Sequence, residues 1–191
     1  LPARKKKQNN KSKHKPLPFN LREQLYRATE VDLTEVDGLD VLSVQALIPG
    51  IGLNMHGRPS EKHFGSWLGL CPDHRISGGQ ILENKTRAVT NRAADVLRMA
   101  AQSLKDSRSA LGAFFRRLKA RLGPAKAITA TAHKLARIIY LLLKYGRHYV
   151  DPGAQYYEQR YRDNVVKNLR KRAAALGFTL VEDSALNLQV S

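Results

Sequence analysis

The stretch Phe64–Gly79 constrains the fold most, because an apolar helical segment ends in it and a polar segment begins. Its apolar residues stop at Cys71 and Pro72, and proline disfavours helix at the residue before it. We expect a loop to follow, and this loop carries Ser77 directly before two glycines, Gly78 and Gly79. Glycine has no Cβ, so the backbone N–H groups of such a turn can approach a phosphate closely.

This loop has the residue types needed for attack on a phosphodiester. The Ser77 hydroxyl is preceded by Arg75 and followed later by Lys85 and Arg87, whose charges would neutralise phosphate oxygens. The alternative is that Ser-Gly-Gly is only a flexible turn, since serine and glycine are common turn formers.

The net charge predicts a polyanionic partner. Of 191 residues, 33 are Lys or Arg and 16 are Asp or Glu, which gives a formal net charge of +17. Such an excess favours DNA, RNA or an acidic membrane surface. The single cysteine excludes an internal disulfide and fits a reducing cytoplasm, and no apolar run approaches the roughly 20 residues that cross a bilayer. A membrane-surface role is the weaker reading, because the basic residues are spread over several helices.

The chain divides into a basic arm, a helical domain and a tail. Residues 1–20 contain seven Lys or Arg and no acid, and they have too few apolar groups to fold on their own. We expect a mobile arm or linker there, although a solvated tail without a partner is equally compatible. The predicted boundaries are a helical domain over 21–181, with a helix-hairpin-helix-like part at about 32–70, a serine loop at 71–90 and a helical core at 91–176, and then a tail over 182–191.

A possible helix-hairpin-helix module lies before the serine loop. The short apolar helix Leu39–Leu47 runs into the string I-P-G-I-G at 48–52, and a further helix begins near residue 60. We expect Pro49, Gly50 and Gly52 to form a tight turn whose N–H groups hold a phosphate without reading bases. An ordinary Pro-Gly turn between two packed helices is the alternative.

No metal site is predicted in this chain. Five acids cluster near the start of the domain, but helix N-termini attract acids in any case, and Asp32–Glu35 has the pattern of a capping box. Of the histidines and the cysteine between 56 and 74, only Cys71 and His74 have a familiar zinc-ligand spacing, so we reject zinc.

Four helices are predicted after the serine loop. They cover residues 91–105, 109–122, 124–145 and 154–176. Between Lys85 and Tyr149 the chain has 15 Lys or Arg and two acids, which indicates a surface for a phosphate backbone, and Arg92 lies on the polar side of the first helix. The last helix has an apolar stripe that predicts docking onto the core, formed by Tyr157, Tyr161, Val165, Leu169 and Ala173.

Six strings of the sequence resemble one family. They are F-G-S-W-L-G-L-C-P (64–72), I-S-G-G (76–79), N-R-A-A-D-V-L-R-M-A-A (91–101), L-G-A-F-F-R-R (111–117), A-I-T-A-T-A-H-K-L-A-R-I-I-Y (127–140) and Y-V-D-P-G (149–153). Together they resemble the C-terminal domain of bacterial insertion-sequence transposases that combine a RuvC-like DEDD domain with a serine-bearing domain, the bridge-RNA-guided recombinases. The resemblance extends from about Phe19 to Val181.

The resemblance implies an all-α, compact domain that cleaves and exchanges DNA strands through a phosphoserine intermediate. It assigns the nucleophile to Ser77 and implies DNA and a guide RNA as partners, and a homo-oligomer. It also implies Mg²⁺, held by carboxylates of the RuvC-like domain. This sequence contains none of that domain, so we expect the chain alone to bind nucleic acid without recombining it. The alternative function is a non-catalytic helix-hairpin-helix module of an architectural or RNA-binding protein.

Overall fold

The computed structural model describes residues 20–87, 89–146 and 148–181. These residues form a mainly helical domain, as expected, with one small two-stranded sheet. The helices are α1 (Leu21–Thr29), α2 (Val41–Ile51), α3 (Glu61–Trp67), α4 (Arg92–Ser103), α5 (Ala110–Leu122), α6 (Pro124–Tyr145) and α7 (Gly153–Ala175). Strands β1 (Pro72–Ser77) and β2 (Gln80–Thr86) pair as an antiparallel hairpin. The predicted basic arm, apart from Asn20, and the predicted tail lie outside the described residues.

Helix α6 forms the centre of the domain and has the predicted bounds. It starts with Pro124 in its first turn, where a missing N–H is tolerated, and ends at Gly146, which adopts a left-handed conformation with φ 60°. Its buried side packs against α3, α4 and α5 through residues such as Leu135 and Ile139, both fully buried. The core of the domain therefore surrounds this helix.

Helices α4 and α5 begin at side-chain caps that the sequence indicates. The Asn91 side chain accepts a hydrogen bond from the Ala93 N–H at 2.9 Å, and the Ser109 hydroxyl accepts one from the Gly112 N–H at 3.1 Å. Such caps satisfy backbone donors that a helix start leaves free. The predicted apolar face of α4 is buried, which confirms its helical periodicity.

The predicted capping box near the N-terminus forms a single 3₁₀ turn, Leu33–Glu35, instead of a longer helix. Asp32 caps this turn and forms a buried ion pair with Arg22. Burial alone would raise the pKa of the Asp32 carboxyl, but hydrogen bonds from Thr34 and Arg22 outweigh it and hold that pKa below its usual value. The acid thus joins α1 to the segment that follows it.

Helix α7 only partly follows the predicted docking stripe. Its first turns pack on α5, where the Tyr157 ring meets the Phe114 ring edge-on with centroids 6.0 Å apart. No residue of α7 is buried, and Leu169, farther along the stripe, is 47 % exposed. The stripe is therefore covered at its start and open beyond it.

We predict that Gly112→Ala destabilises the domain. A Cβ at Gly112 would lie 2.9 Å from the carbonyl carbon of Ser107 and closer still to its oxygen. Backbone cannot move aside cheaply, so the clash should outweigh the roughly 1 kcal/mol that alanine gains over glycine in a helix. We expect the free energy of unfolding, measured in urea, to fall by about 1–3 kcal/mol.

Gly57→Ala is the matched control, because a Cβ there would meet no atom within 4 Å and its backbone is not left-handed. Its free energy of unfolding should stay within about 0.5 kcal/mol of the parent value. If both variants have the parent's stability, the packing described for α5 is incorrect.

Candidate nucleic-acid interface

The serine loop predicted at 71–90 is a β-hairpin, and Ser77 lies at its tip. Ser77 is the last residue of β1, is exposed, and pairs with Gln80 across the turn. The turn consists of Gly78 and Gly79, with φ of 58° and 77°. Two successive positive φ values define a type I′ turn, which matches the twist of a two-residue hairpin. The predicted loop is therefore largely a pair of strands joined by a tight turn, while the predicted accessibility of Ser77 is confirmed.

The hairpin stands away from the helices in the described part of the chain. Its strands pair extensively with each other and make no comparable contact with any helix. Ile76 is 63 % exposed and Leu82 is 70 % exposed, although both are large apolar side chains. Leu82 is the extra residue of a β-bulge, since Arg75 pairs with Glu83 and Ile76 with Ile81. The tip therefore presents a hydroxyl beside exposed apolar groups.

The base of the hairpin is fixed where its second strand leaves. Gly69 has φ of 68°, and a Cβ there would lie 2.9 Å from Val89 and 3.3 Å from the Arg87 carbonyl oxygen. The segment after β2 therefore passes directly over the end of α3. Within the described residues, this close approach joins the base of the hairpin to the helical body.

The predicted cations lie at different distances from the tip of the hairpin. Arg75 is in β1, two residues before Ser77, whereas Lys85 pairs with Asp73 near the base. Asp73 precedes Ser77 by four residues, which corresponds to about 13 Å at roughly 3.3 Å per residue. Arg87 is exposed just after β2. Lys85 and Arg87 therefore flank the base of the arm and are not beside the serine.

The predicted tight turn at 48–52 is wrong, because the chain is helical up to Ile51. Pro49 and Gly50 lie in the last turn of α2, and the Gly52 N–H already donates to the Ile48 carbonyl at 2.9 Å. A helix C-terminus presents carbonyl groups, which repel phosphate. Gly50 has another role, because a Cβ there would lie 3.1 Å from the Cβ of Ala93. The glycine thus permits close packing of α2 against the start of α4.

Arg92, the remaining predicted contact, is the first residue of α4 and is exposed. Because α2 packs against Ala93, the end of α2 and Arg92 are neighbours. The structure thus separates the predicted residues into a hairpin tip, a hairpin base and this helix junction.

A stacked arginine on the surface was not predicted. The Arg58 guanidinium lies 4.1 Å from the centroid of the Trp67 ring, which is 43 % exposed, and Tyr140 Oη donates to the Arg58 carbonyl at 2.7 Å. Lys144 Nζ in turn donates to Tyr140 Oη at 2.8 Å, and this bond is the main reason that the pKa of Lys144 is raised. A bend of the chain brings Arg58 to Trp67, so no local pattern indicates the contact.

A second unpredicted feature is a group of cations on α6 and α7. Lys134 Nζ lies 4.0 Å from the centroid of the Phe114 ring, and its ammonium is partly buried. Burial lowers the pKa of Lys134, and the nearby charges of Arg160 and Arg137 lower it further. Helical periodicity placed these residues outside the core, but only the packing of α7 brings Arg160 towards Lys134.

The described residues do not offer a metal site. Among them, no group of three or more His, Cys, Asp or Glu side chains could hold a metal ion. Asp32 forms an ion pair with Arg22, and Asp73 lies opposite Lys85 in the hairpin. The resemblance assigns Mg²⁺ to carboxylates of the RuvC-like domain, and that expectation stays a prediction.

Comparison with known families supports the resemblance over part of the chain. Residues 30–116 match the model of the transposase IS116/IS110/IS902 family. The matched segment covers 87 of the 191 residues and contains the hairpin with Ser77. It supports a transposase domain of this type. No individual curated protein matches the chain.

In the described part of the chain, no helix is long and apolar enough to cross a membrane.

We predict that the double variant Gly78→Ala/Gly79→Ala opens the hairpin. Each alanine would have to adopt a left-handed conformation, at a cost of about 1–2 kcal/mol. Because the strands rely mainly on each other, the amide hydrogens of 73–86 should lose protection from exchange, while the thermal transition of the helices stays unchanged.

Gly78→Asn is the control, since asparagine is favoured at this position of a type I′ turn. It should keep the protection of the parent hairpin. Retained protection in the double-alanine variant would show that contacts other than the turn hold the strands together.

Proposed function

We propose that this chain is the DNA-cleaving and DNA-joining domain of an insertion-sequence transposase, with Ser77 as its nucleophile. The observation that carries the proposal is the position of Ser77. It is exposed at the tip of a protruding hairpin, inside the segment that matches a transposase family. A hydroxyl in this position can reach a phosphate of the DNA backbone without displacing the helical body.

The proposed reaction is an exchange of phosphate esters. Ser77 Oγ attacks a backbone phosphorus and forms a phosphoserine bond. The bond from that phosphorus to one deoxyribose oxygen breaks, the serine proton passes to a base, and the leaving oxygen takes up a proton. The number of phosphoester bonds is unchanged, so a second sugar hydroxyl can reverse the step and join a different end.

The hairpin supplies the nucleophile and phosphate contacts. The N–H groups of Gly78 and Gly79 lie beside the hydroxyl, where they can donate to phosphate oxygens. Lys85 and Arg87 at the base, and Arg92 at the start of α4, would contact the backbone on either side of the attacked phosphate. Because these three cations lie away from Ser77, they are better placed to contact several phosphates along a duplex than to neutralise the attacked phosphate.

The group that activates Ser77 must come from outside the hairpin tip. A serine hydroxyl is a weak nucleophile near neutral pH unless a base or metal environment activates it. Asp73 is about 13 Å away along the strand, too far for direct proton transfer. We propose that the carboxylates of a RuvC-like domain, which would also hold Mg²⁺, fulfil this role.

The proposal extends to partners beyond DNA. A guide RNA would select the target, and the carboxylate domain of a second copy would act on the serine of the first. Neither interaction involves a membrane, and both fit a bacterial protein that acts on cytoplasmic DNA. The chain described here would then bind DNA alone but would form no covalent link.

We predict that Ser77→Ala abolishes a covalent protein–DNA link. The test uses this chain joined to a RuvC-like domain, with Mg²⁺, guide RNA and a cognate duplex. The parent should give a DNA species of reduced mobility that protease treatment removes. The variant should give none, while its DNA affinity and its thermal transition match those of the parent.

Ser103→Ala is the matched control, because Ser103 is also exposed and only donates to the Ala100 carbonyl of its own helix. It should form the link at the parent's rate. A covalent product from Ser77→Ala would refute the assignment of the nucleophile. If the parent binds DNA but never forms the link, the non-catalytic binding module is the correct function.

A further inference from the structure

The outer side of α7 faces away from the domain. On its inner side, the Arg117 guanidinium lies 3.6 Å from the centroid of the Tyr161 ring and forms an ion pair with Glu158. Among the described elements, α7 makes its substantial contacts with α5 alone. The residues of α7 beyond this inner side are at least partly exposed, and the helix approaches α6 near its start, where Arg160 lies close to Lys134.

Three cations form a straight row along a flank of α7, and this row begins next to α6. Arg160, Lys167 and Lys171 are all exposed. With 3.6 residues per turn they fall within an arc of about 40°, and at 1.5 Å per residue the row is about 16 Å long. Asn164 lies within the same region, between the first two cations. The row is thus made of side chains that donate hydrogen bonds.

Among the described residues, the acids of α7 form no ion pair with this row, and the nearer of them is Asp163, four residues before Lys167. Glu158 points to the opposite side and pairs with Arg117. Asp163 lies about 60° to the side of the row, and its carboxylate accepts a hydrogen bond from Gln159 at 3.0 Å. The exposed apolar residues Val165 and Leu169 are also on the side opposite the row.

The row extends to a further cation, Lys134 of α6, which lies near Arg160. Arg160 is close enough to Lys134 to contribute to the lowered pKa of that amine, after the larger effect of burial. Lys134 contacts the rings of Phe114 and Tyr157, with its Nζ 4.0 Å and 5.6 Å from their centroids. Bringing a polyanion to this end of the row would relieve the repulsion between the cations.

We propose that Arg160, Lys167 and Lys171, together with Lys134, bind the backbone of double-stranded DNA at a site separate from the hairpin. Each strand of duplex DNA carries one phosphate for about every 3.4 Å of helix axis, so a row about 16 Å long can meet more than one of them. A protein partner would require an apolar centre, which this face lacks. A second copy of the same face would add positive charge to positive charge. The choice of DNA over RNA rests on the proposed function.

The test compares two double variants of the 191-residue chain with equal loss of charge. Lys167→Gln/Lys171→Gln removes two cations from the row. Arg162→Gln/Arg172→Gln removes two exposed cations from the other side of the same helix. Affinity for a 30-base-pair DNA duplex is measured from low to moderate salt, and thermal transitions verify that all three proteins are folded.

We expect the slope of log affinity against log salt to become shallower by about 2 in the Lys167/Lys171 variant, since each phosphate contact contributes roughly 0.9. The Arg162/Arg172 variant should change it by less than about 0.5. Equal slopes in the parent and both variants would overturn the α7 site while leaving DNA binding at the hairpin intact. Equal losses in both variants would also overturn it, because net charge alone would then explain the effect.

Two further results separate this site from the proposed function. If the parent shows no salt-dependent binding to the duplex, the proposed function fails as well. If an RNA duplex of the same length binds more tightly than DNA, and the Lys167/Lys171 variant loses mainly that affinity, the assignment of DNA to this face is wrong.

Discussion

The burial of one side of α6 is the constraint on which the rest of the domain depends. Small residues on that side, such as Ala132 and Ala136, are fully buried and let α3, α4 and α5 approach closely. Gly65 of α3 shows how close this approach is, because a Cβ there would lie 2.6 Å from the His133 ring. Because three helices cover its apolar side, the cations of α6 must point away from the core. The positive surface of the domain is therefore a consequence of how its core packs.

The hairpin is stabilised by different interactions from those that stabilise the helical body. Its shape depends on two glycines that adopt positive φ and on the ladder between its own strands, with the tight passage over Gly69 fixing its base. Little apolar area holds it to the domain, so the energetic cost of moving the tip is low. Such an arrangement suits a residue that must reach one backbone phosphate while the helices bind neighbouring phosphates.

The sequence predicted the elements that depend on local periodicity and caps. The bounds of α6 follow from Pro124 and Gly146, and the starts of α4 and α5 follow from Asn91 and Ser109, because these residues act on their own neighbourhood. The hairpin was also locally encoded, since a Gly-Gly pair is typical of a type I′ turn and the apolar residues Ile76 and Ile81 lie on either side of Ser77–Gln80. It was interpreted as a loop because Pro72 ends the preceding helix and Ser77, Gly78 and Gly79 are common turn formers.

Other features depend on packing and had no local signal. Pro49 and Gly50 resemble a turn in sequence, but a proline in the last turn of a helix leaves only one carbonyl unpaired, and Gly50 is needed where α2 meets Ala93. The approach of Arg160 to Lys134 and the stacking of Arg58 on Trp67 join distant parts of the chain. For the same reason, the predicted grouping of Lys85 and Arg87 around Ser77 failed. A strand carries its residues away from a turn at about 3.3 Å each.

The central claim is that the hairpin tip meets the DNA backbone, and a tethered iron chelate tests it most directly. In a Cys71→Ala background, Ser77→Cys carries the chelate at the tip, and Gln24→Cys carries it at an exposed position on α1. Hydroxyl radicals then cut the backbone of a bound duplex near the chelate. The account predicts strong strand scission from position 77 and little from position 24 at equal occupancy. Equal scission from both positions, or none from position 77 while binding persists, would contradict it.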